Sequence, residues 1–384
     1  MSESAPATSA QETPAVSVQA LPVQNRLIFL IGPPRSGSTL LMRILNATSA
    51  IYSRPEPHLM TPLAHLGFYD NVDSASYDHL QAQQAVRAYV QDLPGGESDY
   101  LDAVRAYADV MYGRMLENAG DERYFLDKTP AYGLIVEFLA KLYPEAKFIV
   151  LTRHPAAIFA SFANSFFDGD YEAAVKFNPL ISRYVPKMAW FLREQPVKLL
   201  HVSYEDVASK PEETLQRISE YLEIPFEPDA VNYKRKEVAG EGLGDPIGVQ
   251  QHNRPVTSSI HKWANELIED EQKLRIIADQ LATVSDEDLE TWGYPRETLW
   301  APLQEAKPKA VTKGKKRKWD NWASQRRILV WVRKDIEKSR VGKLLRKIRF
   351  ICDVLLRGGF ANYVPTPPAN SPAGRGSPKD AYPE

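Results

Sequence analysis

The sequence predicts an α/β fold, a doubly wound parallel sheet flanked by helices, with a basic C-terminal helical extension. Three observations lead to this prediction. Short apolar runs alternate with turns and with segments of helical spacing, as in a parallel sheet with crossover helices. A glycine-bearing loop of phosphate-binding type follows the first run, which makes the predicted fold P-loop-like. The C-terminal segment differs in charge from the rest of the chain.

The strands and helices follow from the apolar runs taken in order. Leu27–Ile31 is a continuous apolar run, typical of a buried strand, and a helix is predicted after Gly37. Lys147–Leu151 predicts a second strand, followed by a helix from Pro155, since proline suits a first helical turn. Leu199–Val202 predicts a third strand before a helix over Pro211–Leu222.

Charge is distributed unevenly along the 384 residues, although the net charge is only −2. Residues 1–306 carry 27 Lys and Arg against 43 Asp and Glu, whereas residues 307–357 carry 18 against 4. Such a charge asymmetry indicates what the protein binds and gives little information about its fold. In residues 326–360, apolar and basic residues alternate at helical spacing. This pattern predicts an amphipathic helix that binds an anionic membrane surface or an acidic protein, with nucleic acid ranked last.

Cysteine and histidine usage excludes several classes of protein. Cys352 is the single cysteine, so an intramolecular disulfide framework and a cysteine-rich metal cluster are excluded. The seven histidines show no metal-ligand spacing, and no metal is expected. No apolar run reaches the roughly 20 residues of a membrane span, and no secretory signal is expected. We therefore expect a cytoplasmic protein, with the basic segment as a peripheral membrane contact.

The loop Gly32–Thr39 predicts an anion-binding site. Its frame is G-x-x-x-x-G-x-T, and a strand-to-helix turn of this kind directs unpaired backbone N–H groups at a phosphate, at the positive end of the helix dipole. The lysine that a nucleotide triphosphatase places before the final hydroxyl is absent, because Ser38 stands there. The cation is Arg35, whose planar fork can hold a terminal anionic group.

Gly32–Leu41 resembles the 5′-phosphosulfate loop of sulfotransferases that use 3′-phosphoadenosine 5′-phosphosulfate (PAPS), closest to the bacterial and tyrosylprotein-type branch. The resemblance implies that one set of loop residues holds the 5′ side of the cofactor: Arg35, Ser36, Gly37, Ser38 and Thr39. It implies that Arg153 and Ser161 bind the 3′-phosphate and that Tyr204, in a Tyr-Glu-Asp segment, contacts the adenine. Leu40 stands where aryl-type enzymes carry a tryptophan, so adenine stacking must come from elsewhere.

Three further segments of the resemblance concern catalysis. Ser53–His58 resembles the acidic segment of the family's second strand, which implies Glu56 as general base, with His58 as its competitor. Phe125–Pro130 resembles the segment whose lysine, here Lys128, neutralises the transferring group. His261 precedes a Lys-Trp pair where the tyrosylprotein branch has a serine, and it is the third candidate catalytic residue; Trp263 is expected in the core.

The resulting hypothesis is a PAPS-dependent sulfotransferase that moves a sulfuryl group to a hydroxyl or amine acceptor by in-line displacement with a carboxylate base. The acceptor stays open between small molecule, glycan and lipid. Two alternatives remain: a P-loop nucleotide kinase or triphosphatase, and a non-catalytic, membrane-associated nucleotide-binding protein. The predicted organisation has five parts: a disordered lead (1–24), the catalytic domain (25–300), a linker (301–325), the basic amphipathic extension (326–360) and a disordered tail (361–384).

Overall fold

The computed structural model describes residues 22–66, 68–69, 79–236, 252–306, 344 and 348. The chain divides into two compact units between Arg317 and Lys318, and the fold below is that of the first. Four predicted segments lie outside the described residues in whole or in large part: the lead, the linker beyond residue 306, the basic extension and the tail. Residues 23–26 form a 3-10 helix and residues 301–304 an α-helix, so both neighbour the domain limits predicted at 25 and 300.

Five parallel strands form the sheet, and this confirms the predicted α/β fold class. Their order across the sheet is β2-β3-β1-β4-β5, with β1 in the centre. In chain order they are β1 Leu27–Ile31, β2 Ile51–Pro55, β3 Tyr124–Lys128, β4 Lys147–Thr152 and β5 Leu199–Ser203. The pairing is in regular parallel register, with Phe29 opposite Asp127 on one side of β1 and Phe148 on the other.

Helices connect the strands and cover the sheet. In chain order they are α1 Ser38–Asn46, α2 Met60–Ala64, α3 His79–Gln91, α4 Glu97–Glu117, α5 Val136–Leu142, α6 Pro155–Phe166, α7 Tyr171–Phe177, α8 Leu180–Glu194, α9 Tyr204–Ser209, α10 Pro211–Leu222, α11 Lys262–Leu267, α12 Glu271–Leu281, α13 Asp286–Trp292 and α14 Ala301–Gln304. A 3-10 helix, Pro130–Leu134, lies between β3 and α5. None of the helices in the described ranges is both long and apolar enough to cross a bilayer.

The two faces of the sheet bury separate hydrophobic cores. Phe29 and Phe148 belong to the larger core, with side chains of α4, α5, α6, α8 and the C-terminal helices. Ile28 and Ile149, one position away in their strands, belong to the smaller core under α1, α9 and α10. Successive strand residues point to opposite faces, so the continuous apolar runs of β1 and β4 are explained by burial on both sides.

Candidate active site

Most of the candidate residues lie at one edge of the sheet, because they end or directly follow parallel strands. The glycine loop follows β1, Glu56 follows β2, and Lys128 is the last residue of β3. Arg153 follows β4 and Tyr204 follows β5. From β1 the chain passes first to β2 on one side and later, through β3, to β4 on the other. Open α/β sheets bind ligands at such a switch point, beyond the carboxyl ends of the strands.

The loop between β1 and α1 has the geometry of a cradle. Gly37 has φ 99°, and a Cβ there would lie 2.2 Å from the Tyr204 ring, so only glycine fits this turn. Arg35 also takes a left-handed conformation, with φ 72°. Ser38 begins α1 and is buried. Ser36 is fully buried, and its hydroxyl has no hydrogen-bond partner among the described residues.

Arg35 links the loop to α6. Its Nε donates to Ser161 Oγ at 3.1 Å, and its guanidinium lies 6.0 Å from the Phe166 ring centroid. Arg153 Nη1 in turn donates to the Arg35 carbonyl at 2.9 Å. The structure therefore brings Arg153 and Ser161 together through Arg35.

Arg153 is buried and is held by Tyr204 and Ser259. Its guanidinium carbon lies 4.1 Å from the Tyr204 ring centroid, a cation–π contact, and its Nη2 donates to the Ser259 carbonyl at 3.0 Å. The Tyr204 hydroxyl lies 2.6 Å from Ser259 Oγ. Burial lowers the pKa of the Arg153 guanidinium, and its Nε has no hydrogen-bond acceptor in the described part of the chain.

Sequence reasoning missed Ser259. It lies in a short 3-10 helix, Thr257–Ser259, and its only sequence signal is a hydroxyl two residues before the predicted His261. The His261 side chain is exposed and has no hydrogen bond or ion pair to any described residue. The element predicted to reach the site does so through Ser259, and a role for His261 stays a prediction.

Residues near the C-terminal end of the domain also bond and pack against the turn that carries Arg153. Trp292 Nε1 donates to the Arg153 carbonyl at 3.0 Å, and His154 Nε2 donates to the Leu299 carbonyl at 2.8 Å. The His154 ring stacks on Trp263 at 4.4 Å between centroids, and Trp263 is buried in the core, as expected. Burial lowers the pKa of His154 to about 4. This imidazole is therefore a neutral structural group.

A second cluster joins β2, β3 and α1. Lys128 Nζ donates to Glu56 Oε1 at 2.5 Å and to Thr39 Oγ1 at 3.3 Å. The Lys128 side chain is 1% exposed and that of Glu56 15%, so the ion pair is largely removed from water. His58 Nε2 lies 3.7 Å from Glu56 Oε2, on the exposed side. The predicted base thus contacts both its competitor and the predicted cation beside the loop.

The residues present fit PAPS. Among the described residues, the buried Ser36 hydroxyl and the buried Arg153 Nε have no hydrogen-bond partner, and a bound anion would satisfy both. The loop before α1 adds backbone N–H groups at a helix N-terminus. No cluster of three or more potential metal ligands occurs within the described ranges.

This chain belongs to the Sulfotransferase family, whose family model matches residues 27–228, more than half of its length. Nodulation protein NoeE of Sinorhizobium fredii is 39% identical over 135 residues, which cover 35% of this chain and only 30% of that protein. Protein-tyrosine sulfotransferase 1 of Danio rerio is 25% identical over 271 residues, covering 67% of this chain and 71% of that protein.

A solved sulfotransferase domain from the curacin biosynthetic pathway is 25% identical to this chain, with a TM-score of 0.45. The match covers 66% of this chain and 96% of the curacin-pathway domain. The resemblance to sulfotransferases is confirmed by the family match. The protein is a transferase of the sulfotransferase family, and this favours sulfuryl transfer over the kinase alternative.

Proposed function

We propose that this protein transfers a sulfuryl group from PAPS to a hydroxyl or amine acceptor, with Glu56 as general base. The observation that carries the proposal is the Glu56–Lys128 pair at 2.5 Å, in contact with Thr39 of the anion loop. A proton acceptor and a cation stand together where the loop would hold the donor's 5′ side. Both are needed for displacement at sulfur, because the acceptor oxygen loses a proton while negative charge grows on the leaving group.

When bound, PAPS supplies an activated sulfuryl group on a phosphate leaving group. Ser36, Gly37, Ser38 and Thr39 would hold the 5′ side of the donor, together with Arg35. Arg153 and Ser161 would bind the 3′-phosphate, for which the fork of Arg153 is suited.

Tyr204 lies on the Arg153 side of the loop and would contact the adenine. Glu56 accepts the proton of the acceptor hydroxyl, and Lys128 stabilises the charge that develops beside the loop. This division of roles is positioning and electrostatics, with no covalent step on the protein.

Ligand binding distinguishes this proposal from the kinase alternative. Adenosine 3′,5′-bisphosphate, the product of sulfuryl transfer, should raise the melting temperature of the full chain, because a ligand that binds only the folded state stabilises it by mass action. ATP with Mg²⁺ should have little effect. Stabilisation by ATP and none by the bisphosphate would contradict the proposal.

Turnover distinguishes it from a protein that only binds nucleotide. With ³⁵S-labelled PAPS and a panel of tyrosine peptides, phenols and aliphatic alcohols as acceptor probes, label should pass to at least one probe. Glu56→Gln should lower kcat by about 100-fold or more, as expected for loss of a general base. Glu122→Gln is a matched control, because Glu122 is 19% exposed and pairs with Lys236 at 2.9 Å. Equal rates in both variants would show that Glu56 is not the base.

The partner of residues 307–357 and the cytoplasmic, peripheral membrane location stay predictions. They are tested by sedimenting the full chain with vesicles. Binding to vesicles that contain phosphatidylserine, absent with neutral vesicles and lost at high salt, would support an anionic membrane surface. Equal sedimentation with both kinds of vesicle would contradict it.

A further inference from the structure

Asp127 lies next to Lys128 in β3 but on the opposite face of the sheet. Lys128 contacts Thr39 of α1, whereas Asp127 contacts Tyr112 of α4 and Tyr132 of the 3-10 helix. Its side chain is fully buried. A carboxylate is costly to bury without partners, and none of the roles proposed above uses this one.

Three hydroxyls satisfy the Asp127 carboxylate. Thr129 Oγ1 donates to Oδ1 at 2.9 Å, and the hydroxyls of Tyr112 and Tyr132 donate to Oδ2 at 2.7 and 3.0 Å. Burial raises the pKa of Asp127, and these three hydrogen bonds lower it. The hydroxyls thus offset part of the cost of burying the carboxylate.

Two of these hydroxyls connect Asp127 to the segment that follows the proposed base. Tyr132 OH accepts the backbone N–H of Met60 at 3.0 Å, and Thr129 Oγ1 accepts that of His58 at 3.4 Å. A hydroxyl has one proton. Because each donates that proton to Asp127, its lone pairs face the backbone N–H groups. Asp127 therefore orients both hydroxyls, so that each can accept a hydrogen bond from the backbone.

The segment from Glu56 to Met60 needs such external support. Glu56 and His58 have φ 21° and 53°, a region that residues with a Cβ occupy only where the surroundings impose it. Met60 is the first residue of α2, so its N–H has no acceptor within that helix. Tyr132 supplies the missing acceptor, inside the core.

We propose that Tyr132 is a positioning residue for the general base: its hydroxyl, oriented by the Asp127 carboxylate, fixes the backbone N–H of Met60 and so holds the segment that follows Glu56 in place. This inference rests on the proposed function, because it assigns the base to Glu56. It adds a residue on the far face of the sheet whose hydrogen bonds to the described residues go neither to the donor cradle nor to the Glu56–Lys128 pair.

The test compares Tyr132→Phe with Tyr112→Phe. Both tyrosines are buried and bond the same carboxylate oxygen, so each substitution removes one buried hydrogen bond from Asp127. Only Tyr132 also accepts an N–H from the segment after the base. In the full chain, amide hydrogen exchange at Met60 should quicken about fivefold or more in Tyr132→Phe, the loss expected for one hydrogen bond. It should not change in Tyr112→Phe.

Kinetics with ³⁵S-PAPS and the acceptor probes give the second measurement. Tyr132→Phe should lower kcat by about tenfold or more, since small misplacements of a reacting group are costly, while the KM for PAPS is unchanged. Tyr112→Phe should keep the wild-type kcat. A merely structural role predicts the same loss in both variants, and equal exchange or equal kcat in the two would overturn the proposal.

The proposed base and the positioning role can each be overturned by a different result. An unaltered rate in Glu56→Gln would overturn the proposed base, and the positioning role with it. An inactive Glu56→Gln variant alongside indistinguishable Tyr132→Phe and Tyr112→Phe variants would overturn the positioning role alone.

Discussion

Arg35 Nε donates a hydrogen bond to Ser161 Oγ at 3.1 Å. The resemblance assigns these residues to opposite ends of the cofactor, Arg35 to the 5′ side and Ser161 to the 3′-phosphate. In the structure they are in direct contact, and Arg153 adds a bond to the Arg35 carbonyl. The two proposed phosphate subsites are therefore one continuous polar cluster, in which a change at either end is expected to reach the other.

Arg153→Lys should weaken binding of adenosine 3′,5′-bisphosphate by about 10- to 100-fold. The lysine keeps the charge but lacks the planar fork that bonds the Arg35 and Ser259 carbonyls and that can grip a phosphate. Isothermal titration calorimetry measures the effect. The control is Arg193→Lys, at an arginine of α8 that pairs with Asp288, and this variant should bind the bisphosphate as tightly as the wild type.

Gly37→Ala should destabilise the protein and abolish bisphosphate binding. The new methyl would lie 2.2 Å from the Tyr204 ring, at a φ of 99°. Gly293→Ala is the matched control, because Gly293 has φ 92° and a Cβ added there would meet no atom within 4 Å. This substitution should cost only about 1 kcal/mol of backbone strain. Urea unfolding should show Gly37→Ala to be about 2 kcal/mol worse, the cost of overpacking. Equal losses of unfolding free energy in the two variants would show that the Tyr204 ring moves aside at no cost.

Lys128→Met and Glu56→Gln should be strongly non-additive. Each single substitution leaves the partner's charge largely buried without its counter-ion, at a cost of about 3 kcal/mol, whereas the double variant leaves neither charge. A double-mutant cycle of unfolding free energies should give a coupling of about 2 kcal/mol or more. The exposed Arg114–Glu117 pair, cycled with alanines, should give less than about 1 kcal/mol. A similarly small coupling for Lys128 and Glu56 would mean that water screens the pair.

Stability should fall between pH 6.5 and 4, partly because of His154. Burial lowers the pKa of folded His154 to about 4, whereas the unfolded chain takes up this proton near pH 6.5. Neutral His154 therefore makes its full contribution to the free energy of unfolding above about pH 6.5. This contribution, about 3 kcal/mol in total, is lost as the pH falls toward 4.

Denaturant unfolding over this pH range should give a flatter profile for His154→Gln. Some slope should remain in that variant, because burial also lowers the pKa of His201. An unchanged slope in His154→Gln would show that His154 is not among the groups that take up protons on unfolding.

Elements with a clear hydrophobic pattern could be predicted from the sequence. Leu27–Ile31 and Pro211–Leu222 have the predicted bounds, and β4 and β5 each extend one residue further. β3 gave no comparable signal, because it ends in Asp127 and Lys128. Both side chains are buried, but their polarity breaks the apolar run. Contacts that lie far away in the sequence, among them those with Tyr112 and Glu56, make that burial tolerable.

The candidate site was predictable where a residue follows a strand directly. Glu56, Arg153 and Tyr204 do so, and the parallel sheet gathers them at one edge. The Arg35–Ser161 contact joins residues 126 positions apart, a distance that no local pattern encodes. Ser259 lies in a three-residue 3-10 helix without any periodicity, so its place beside Arg153 required the fold.

The hydrogen bonds of Trp292 and Leu299 to the Arg153 turn decide where a minimal recombinant version of this enzyme can end. The family match ends at residue 228, yet the tryptophan that bonds the Arg153 carbonyl and the carbonyl that fixes the His154 ring are residues 292 and 299. Trimming the gene to the matched segment would uncover the arginine's backbone, its neighbouring imidazole and the turn they share. Expression boundaries should therefore be drawn beyond residue 300.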